Sequence, residues 1–91
     1  MNVQYEFLKH PTSILAMSEE IIRATNDYKS RKLGNDELQE IILWYATRHG
    51  EKVFAGSGYN PTLKKIIGKR RIRMIDTMLE GFQMAIYDGV K

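Results

Sequence analysis

Residues 38–46, LQEIILWYA, constrain the fold more than any other stretch. Leu38, Ile41, Ile42 and Tyr45 recur at helical spacing on one face, and Leu43, Trp44 and Ala46 carry the apolar surface almost all the way round. A helix of that kind has to be covered on most sides, so the rest of the chain must wrap it. In a chain of 91 residues two companion helices leave part of it wet, and Leu43 or Trp44 is therefore expected at a subunit contact. A domain of this size buries only roughly 60–65% of its unfolded surface, which also favours self-association.

The companions are legible on either side. Pro11, Thr12 and Ser13 form a helix start, a hydroxyl being able to accept a first-turn N–H. From there to about Arg31, Ile14, Met17, Ile21, Ala24 and Tyr28 share one face. Leu15 and Ile22 make a smaller second stripe, while Glu19, Arg23, Asn26 and Asp27 point away. Gly34 breaks the pattern, Asn35 is the expected N-cap of the apolar helix, and Asp36 and Glu37 suit its positive end. Arg48 and His49 suit the opposite end, and Gly50 is the expected stop.

Residues 52–59, KVFAGSGY, read as a flexible loop anchored by Val53 and Phe54. Asn60 and Pro61 then predict a helix over 61–67, with asparagine as cap and proline at the first helical position. After Gly68 a final helix runs to about residue 87 on the seam Ile72, Ile75, Leu79, Phe82 and Ile86, widened by Met74, Met78 and Ala85. At the other end Val3, Tyr5 and Phe7 alternate with polar residues, as in a short strand or an extended arm laid across the bundle or a neighbouring subunit. The expected architecture is mainly α: one domain over 1–91, a small bundle of three to four helices with that arm or strand, in an oligomer. The chain has no cysteine, which excludes disulfides and thiolate metal sites. It has neither a signal-like start nor 18 consecutive apolar residues, so a soluble cytoplasmic protein is expected, with no membrane partner.

Charge is concentrated in one place. In residues 64–73, KKIIGKRRIR, six of ten side chains are cationic and none is acidic; the whole chain is +3, so the remainder is net negative by three. A patch of this kind attracts phosphate-bearing partners. If Gly68 ends one helix, Lys69, Arg70, Arg71 and Arg73 crowd the positive end of the next, a conflict that a bound anion resolves. The alternative is one continuous helix with Gly68 inside it at a cost of about 1 kcal/mol. Arg71 falls within the apolar arc of Met74, Ile75, Leu79 and Phe82 and needs a partner there. That partner is a carboxylate such as Glu37 or Glu40, a second subunit, a ligand phosphate, or solvent reached by snorkelling.

Tyr59 and Asn60 precede the basic segment, and Trp44 and Arg48 share the end of the apolar helix. Rings and an amide beside arginines supply what a nucleobase pocket requires: a stacking surface, an edge reader and phosphate donors. Each also has a structural reading, Tyr59 as a loop anchor, Asn60 as a cap and Trp44 as core. Catalysis has little support. His10 and His49 are distant in sequence and lack metal-ligand spacing, and Ser57 lacks a nucleophile-elbow pattern. No enzymatic activity and no cofactor or metal is expected.

From the capped acidic start of the apolar helix through KVF to YNPTLKKIIGKRRIRMIDTMLEGF, the chain resembles small helical proteins encoded in Firmicute phages and mobile elements. The resemblance covers roughly the C-terminal two thirds, without the N-terminal arm or the Gly-Ser-Gly loop. It implies context rather than an activity: such proteins include inhibitors of host defence, among them oligomeric sponges for nucleotide-derived immune signals, and others bind nucleic acid or a host protein. The leading expectation is a sponge for a cyclic ADP-ribose derivative or cyclic oligonucleotide. In it Lys69, Arg70, Arg71 and Arg73 hold phosphates, Tyr59 or Trp44 stacks on a base and Asn60 reads an edge. The alternatives are a nucleic-acid regulator using residues 64–73 as a helix-turn-helix-like unit, and an inhibitor that docks on an acidic host surface.

Overall fold

A computed structural model describes the backbone of residues 5–90 and the side chains of residues 5–80. The elements, in order, are α1 (Ile14–Lys29), α2 (Asn35–Arg48), a single turn α3 (Gly50–Val53), β1 (Phe54–Ala55), β2 (Gly58–Tyr59) and α4 (Pro61–Val90). The mainly helical architecture is as the periodicity predicts. Helix α4 packs against both α1 and α2.

Helix α1 starts where the hydroxyl predicts: Ser13 Oγ accepts from the Ala16 N–H at 3.0 Å. Its inner face is Met17, Ile21 and Ala24 with two buried hydroxyls, which return to the helix backbone, Ser18 to the Ile14 carbonyl and Thr25 to the Ile22 carbonyl. Ile14 and Tyr28 are only partly buried, and Leu15 is 55% exposed. Helix α2 buries Leu38, Ile41, Ile42, Tyr45 and Ala46, and it is capped one residue earlier than expected. Gly34 is the N-cap, its N–H donating to Glu37 Oε1 at 3.1 Å, which makes Asn35 the first helical residue. Val53, Leu63, Ile67, Ile75 and Leu79 complete one continuous core.

Two further expectations change. Gly50 does not stop the helical segment; α2 ends at Arg48 with His49 as C-cap, and Gly50 opens the extra turn α3. Residues 52–59 are not a flexible loop. Phe54 pairs with Tyr59 and Ala55 with Gly58 in an antiparallel hairpin. The Asn60 N–H donates to the Val53 carbonyl at 2.8 Å and closes its base. The two-residue Gly56-Ser57 connection is the reason, with Gly56 at φ +62° supplying the positive φ that such turns need to match the twist of the strands.

The described part of the N-terminal segment contains no strand. It is an extended arm on the chain's own α1 and α2, with the Leu8 N–H donating to Glu20 Oε1 and the Glu6 carbonyl accepting from Arg23. Val3 lies outside the described residues, as do the side chains of Phe82, Ala85 and Ile86.

Helix α4 is two helices joined at Gly68, whose φ of 85° and ψ of 166° are not helical. No neighbour lies within 4 Å of where a Cβ would stand, so the backbone angles and not crowding call for glycine. The break is sharp. Tyr59 Oη donates to Asp76 Oδ1 at 2.9 Å across 17 residues, a span of about 25 Å in a straight helix. The segment 61–67 therefore folds back beside the one that follows Gly68, and the single-helix alternative is excluded.

Candidate functional site

The corner at Gly68 follows from local chemistry. Asn60 Oδ1 accepts from the Thr62 N–H at 2.9 Å and the Leu63 N–H at 3.4 Å, so the segment 61–67 begins as its cap and proline predict. Leu63 and Ile67 anchor it in the core, and Lys64 and Lys65 are left exposed. Past Gly68, which has no side chain to act as a cap, Ile75 and Leu79 turn inward while Lys69, Arg70 and Arg73 remain exposed. Lys64, Lys69 and Arg73 meet over Ile72 in a cleft of about 170 Å³. The aliphatic stems of three cationic side chains, from both sides of the break, thus line one small and almost wholly apolar hollow. The ion pairs among the described residues lie elsewhere, joining Arg23 to Glu20 and Asp27, and Lys52 to Glu51.

Arg71 turns inward as its place in the apolar arc predicts, but neither Glu37 nor Glu40 receives it. Its Nε donates to Thr25 Oγ1 at 2.8 Å, one terminal nitrogen to Asn26 Oδ1 at 2.9 Å, and the other to the Ile67 carbonyl at 3.2 Å. The guanidinium ties the penultimate turn of α1 to the last carbonyl before the break. It holds the corner in place through neutral acceptors. Asn26, expected to face solvent, is one of them.

The other predicted residues fall into separate neighbourhoods. The indole N–H of Trp44 donates to the Lys9 carbonyl at 2.9 Å; Arg48 lies 4.8 Å and Lys9 Nζ 5.9 Å from its ring centroid, and His10 meets its edge. Part of the surface expected at a subunit contact is thus covered by the chain's own arm. His49 Nε2 lies 2.8 Å from the same carbonyl, and its ring is 5.4 Å from that of His10, although the two histidines are far apart in sequence. Among the described residues no three histidine or carboxylate side chains form a metal-holding group. Tyr59 packs on Phe54 and binds Asp76, which secures the hairpin to α4. Asn60 is occupied as a cap.

The cluster that fixes the arm had no sequence signal, because its residues sit on the polar side of α1. Arg23 donates to Tyr5 Oη at 2.7 Å, to the Glu6 carbonyl at 2.8 Å and to Glu20, while Tyr5 donates to Asp27. Burial, followed by the bond to Asp27, pushes the Tyr5 phenol up to about 12. The Arg23 hydrogen bond holds the Glu20 carboxyl below its usual range.

A helical bundle with a stapled, cation-rich corner is the class that this fold and site define. The chain belongs to a family of conserved hypothetical proteins, whose model matches residues 8–80. That span takes in the end of the arm, α1 and the Gly-Ser-Gly hairpin, and so reaches well beyond the C-terminal two thirds. No curated protein and no solved structure matches the chain. Among the described residues no helix is long and apolar enough to cross a membrane.

Proposed function

We propose that this protein is a non-catalytic binding module for phosphate-bearing partners, contacted through the cations exposed around the Gly68 break. The observation that carries the reading is the cleft of Lys64, Lys69 and Arg73 over Ile72, built from both sides of the break. A phosphate at the mouth of this cleft, within reach of the exposed ends of Lys64, Lys69 and Arg73, also meets the positive end of the helix that starts at Lys69 and so offsets the charge crowded at that end. At about 170 Å³ the cleft is too small for a whole nucleotide, since small-molecule pockets occupy roughly 300–1,000 Å³. Either a nucleic-acid backbone or a nucleotide-derived signal supplies the phosphate. Sequestration of such a signal by an oligomer, in a phage acting against host defence, is the finer form of the proposal that the family resemblance suggests.

The test is calorimetric titration with cyclic nucleotides, ADP-ribose derivatives and a random-sequence DNA duplex at two salt concentrations, on the natural chain and on a Lys64→Gln, Lys69→Gln, Arg73→Gln variant. At least one of these ligands is expected to lose tenfold or more in affinity in the variant. Duplex binding that weakens steeply with salt assigns the phosphates to a nucleic-acid backbone, and saturable small-molecule heat assigns them to a signal. Affinity unchanged in the variant for every ligand that binds, or silence with every ligand, rejects the reading.

A further inference from the structure

A second cleft, at the turn between α1 and α2, gathers the chemistry of a nucleotide site from residues outside the Gly68 corner. It measures about 470 Å³ and is lined by Tyr28, Lys29, Arg31, Leu33, Gly34 and Asn35. That volume lies within the range of small-molecule sites, and the contents are apt: an aromatic ring, two cations, a carboxamide and an apolar side chain. We infer that this cleft binds a nucleotide, with Tyr28 against the base, Lys29 and Arg31 on the phosphates, and Asn35 at a base edge.

The first argument is availability. Trp44, Tyr59, Asn60 and Arg71 are committed to partners within the chain, as their hydrogen bonds record. The side chains of Tyr28, Lys29, Arg31 and Asn35 make no hydrogen bond or ion pair among the described residues. Lys29, Arg31 and Asn35 are exposed, Tyr28 is half-buried against the core, and Leu33 is buried beneath them. A planar ring seated on the core and flanked by exposed cations is the arrangement in which stacking and phosphate contact reinforce each other.

The second argument is the backbone at Arg31. After α1 the chain turns with the Arg31 N–H donating to the Tyr28 carbonyl at 3.1 Å and the Lys32 N–H to the Asp27 carbonyl at 2.8 Å. Arg31 takes φ +65°, the left-handed position where helix ends ordinarily carry glycine. Folding alone favours glycine there, whereas this chain places a guanidinium on the cleft.

This site goes beyond the phosphate reading of the Gly68 corner and is tested apart from it. ADP is titrated calorimetrically into the natural chain, with pyrophosphate as a phosphate that has no base. The same titrations are made on Arg31→Gly, Asn35→Ala, Tyr28→Leu and the Lys64→Gln, Lys69→Gln, Arg73→Gln variant. Saturable ADP binding is expected, at least tenfold tighter than pyrophosphate. It should weaken at least tenfold in Arg31→Gly and severalfold in Asn35→Ala and Tyr28→Leu, and stay within twofold in the Gly68-corner variant. Arg31→Gly should also raise the unfolding midpoint, so lost binding there cannot be read as lost folding. Equal affinity for ADP and pyrophosphate in the Gly68-corner variant, ADP binding that survives Arg31→Gly, or no saturable ADP binding overturns the assignment.

Discussion

At the scale of single residues, Arg71 shows how an inward cation is accommodated without a carboxylate. Its spacing among apolar positions revealed that it would turn inward, but spacing along α4 says nothing of what α1 presents opposite. The acceptors Thr25 Oγ1 and Asn26 Oδ1 belong to another helix more than forty residues earlier in the chain. Arg71→Met keeps the apolar stem and removes the donors, leaving those oxygens and the Ile67 carbonyl short of a partner. A loss of roughly 1–3 kcal/mol is expected in urea unfolding, more than an exposed arginine in the same segment, such as Arg70, should cost. Equal effects at the two positions would mean that the three bonds carry no stability. Asn60 was the most legible residue, because a cap is satisfied within its own next turn.

Among the elements, legibility followed locality. Helices α1, α2 and both parts of α4 were readable from spacing and caps, and the break at Gly68 from a glycine between two apolar patterns. The hairpin was missed because its strands are two residues each, too short for alternation to register, although Gly-Ser is a recognised hairpin connection. The arm was ambiguous because an extended segment declares only that it is extended. What fixes it lies on other elements: Arg23 and Glu20 of α1 bond Tyr5 and the Leu8 N–H, Trp44 of α2 bonds the Lys9 carbonyl, and Phe7 packs on Tyr45.

Glu20 and Tyr5 give the arm two pH limits. Glu20 has its folded pKa depressed, so its contribution is present above about 4.5 and is lost as pH falls through the folded value. The Tyr5 phenol is raised, so its contribution is present below about 10 and is lost as pH rises through about 12. Amide exchange at Leu8, corrected for intrinsic rates, should therefore show protection falling at both extremes. Glu20→Gln should abolish the acid limb and spare the alkaline one. An acid limb that persists in that variant would place the titrating group elsewhere.

For the whole molecule, the core is one cluster drawing on α1, α2, α3 and both parts of α4. Leu38 is fully buried in it, at the start of the helix whose apolar girth required wrapping. Leu38→Ala should cost about 2–5 kcal/mol, a large share of the roughly 5–15 kcal/mol that holds a domain together. Far-ultraviolet and near-ultraviolet dichroism should report the same shifted transition; separated transitions would mean that the segment beyond Gly68 melts by itself. The charge layout at this scale was legible in advance, since six cations in ten residues cannot be dispersed by any fold. Which cations would meet was not, because Lys64 joins Lys69 and Arg73 only through the reversal at Gly68. The convergence at the α1–α2 turn was equally hidden, its residues having been read as the end of one helix and the cap of the next.

The contact between Trp44 and the Lys9 carbonyl has an optical consequence. Trp44 is the only tryptophan in the chain, and its one polar atom is bonded to the arm. Its emission wavelength and anisotropy therefore register the solvation of a single junction. The chain carries an intrinsic probe of arm docking that needs no label and can be followed on a stopped-flow timescale.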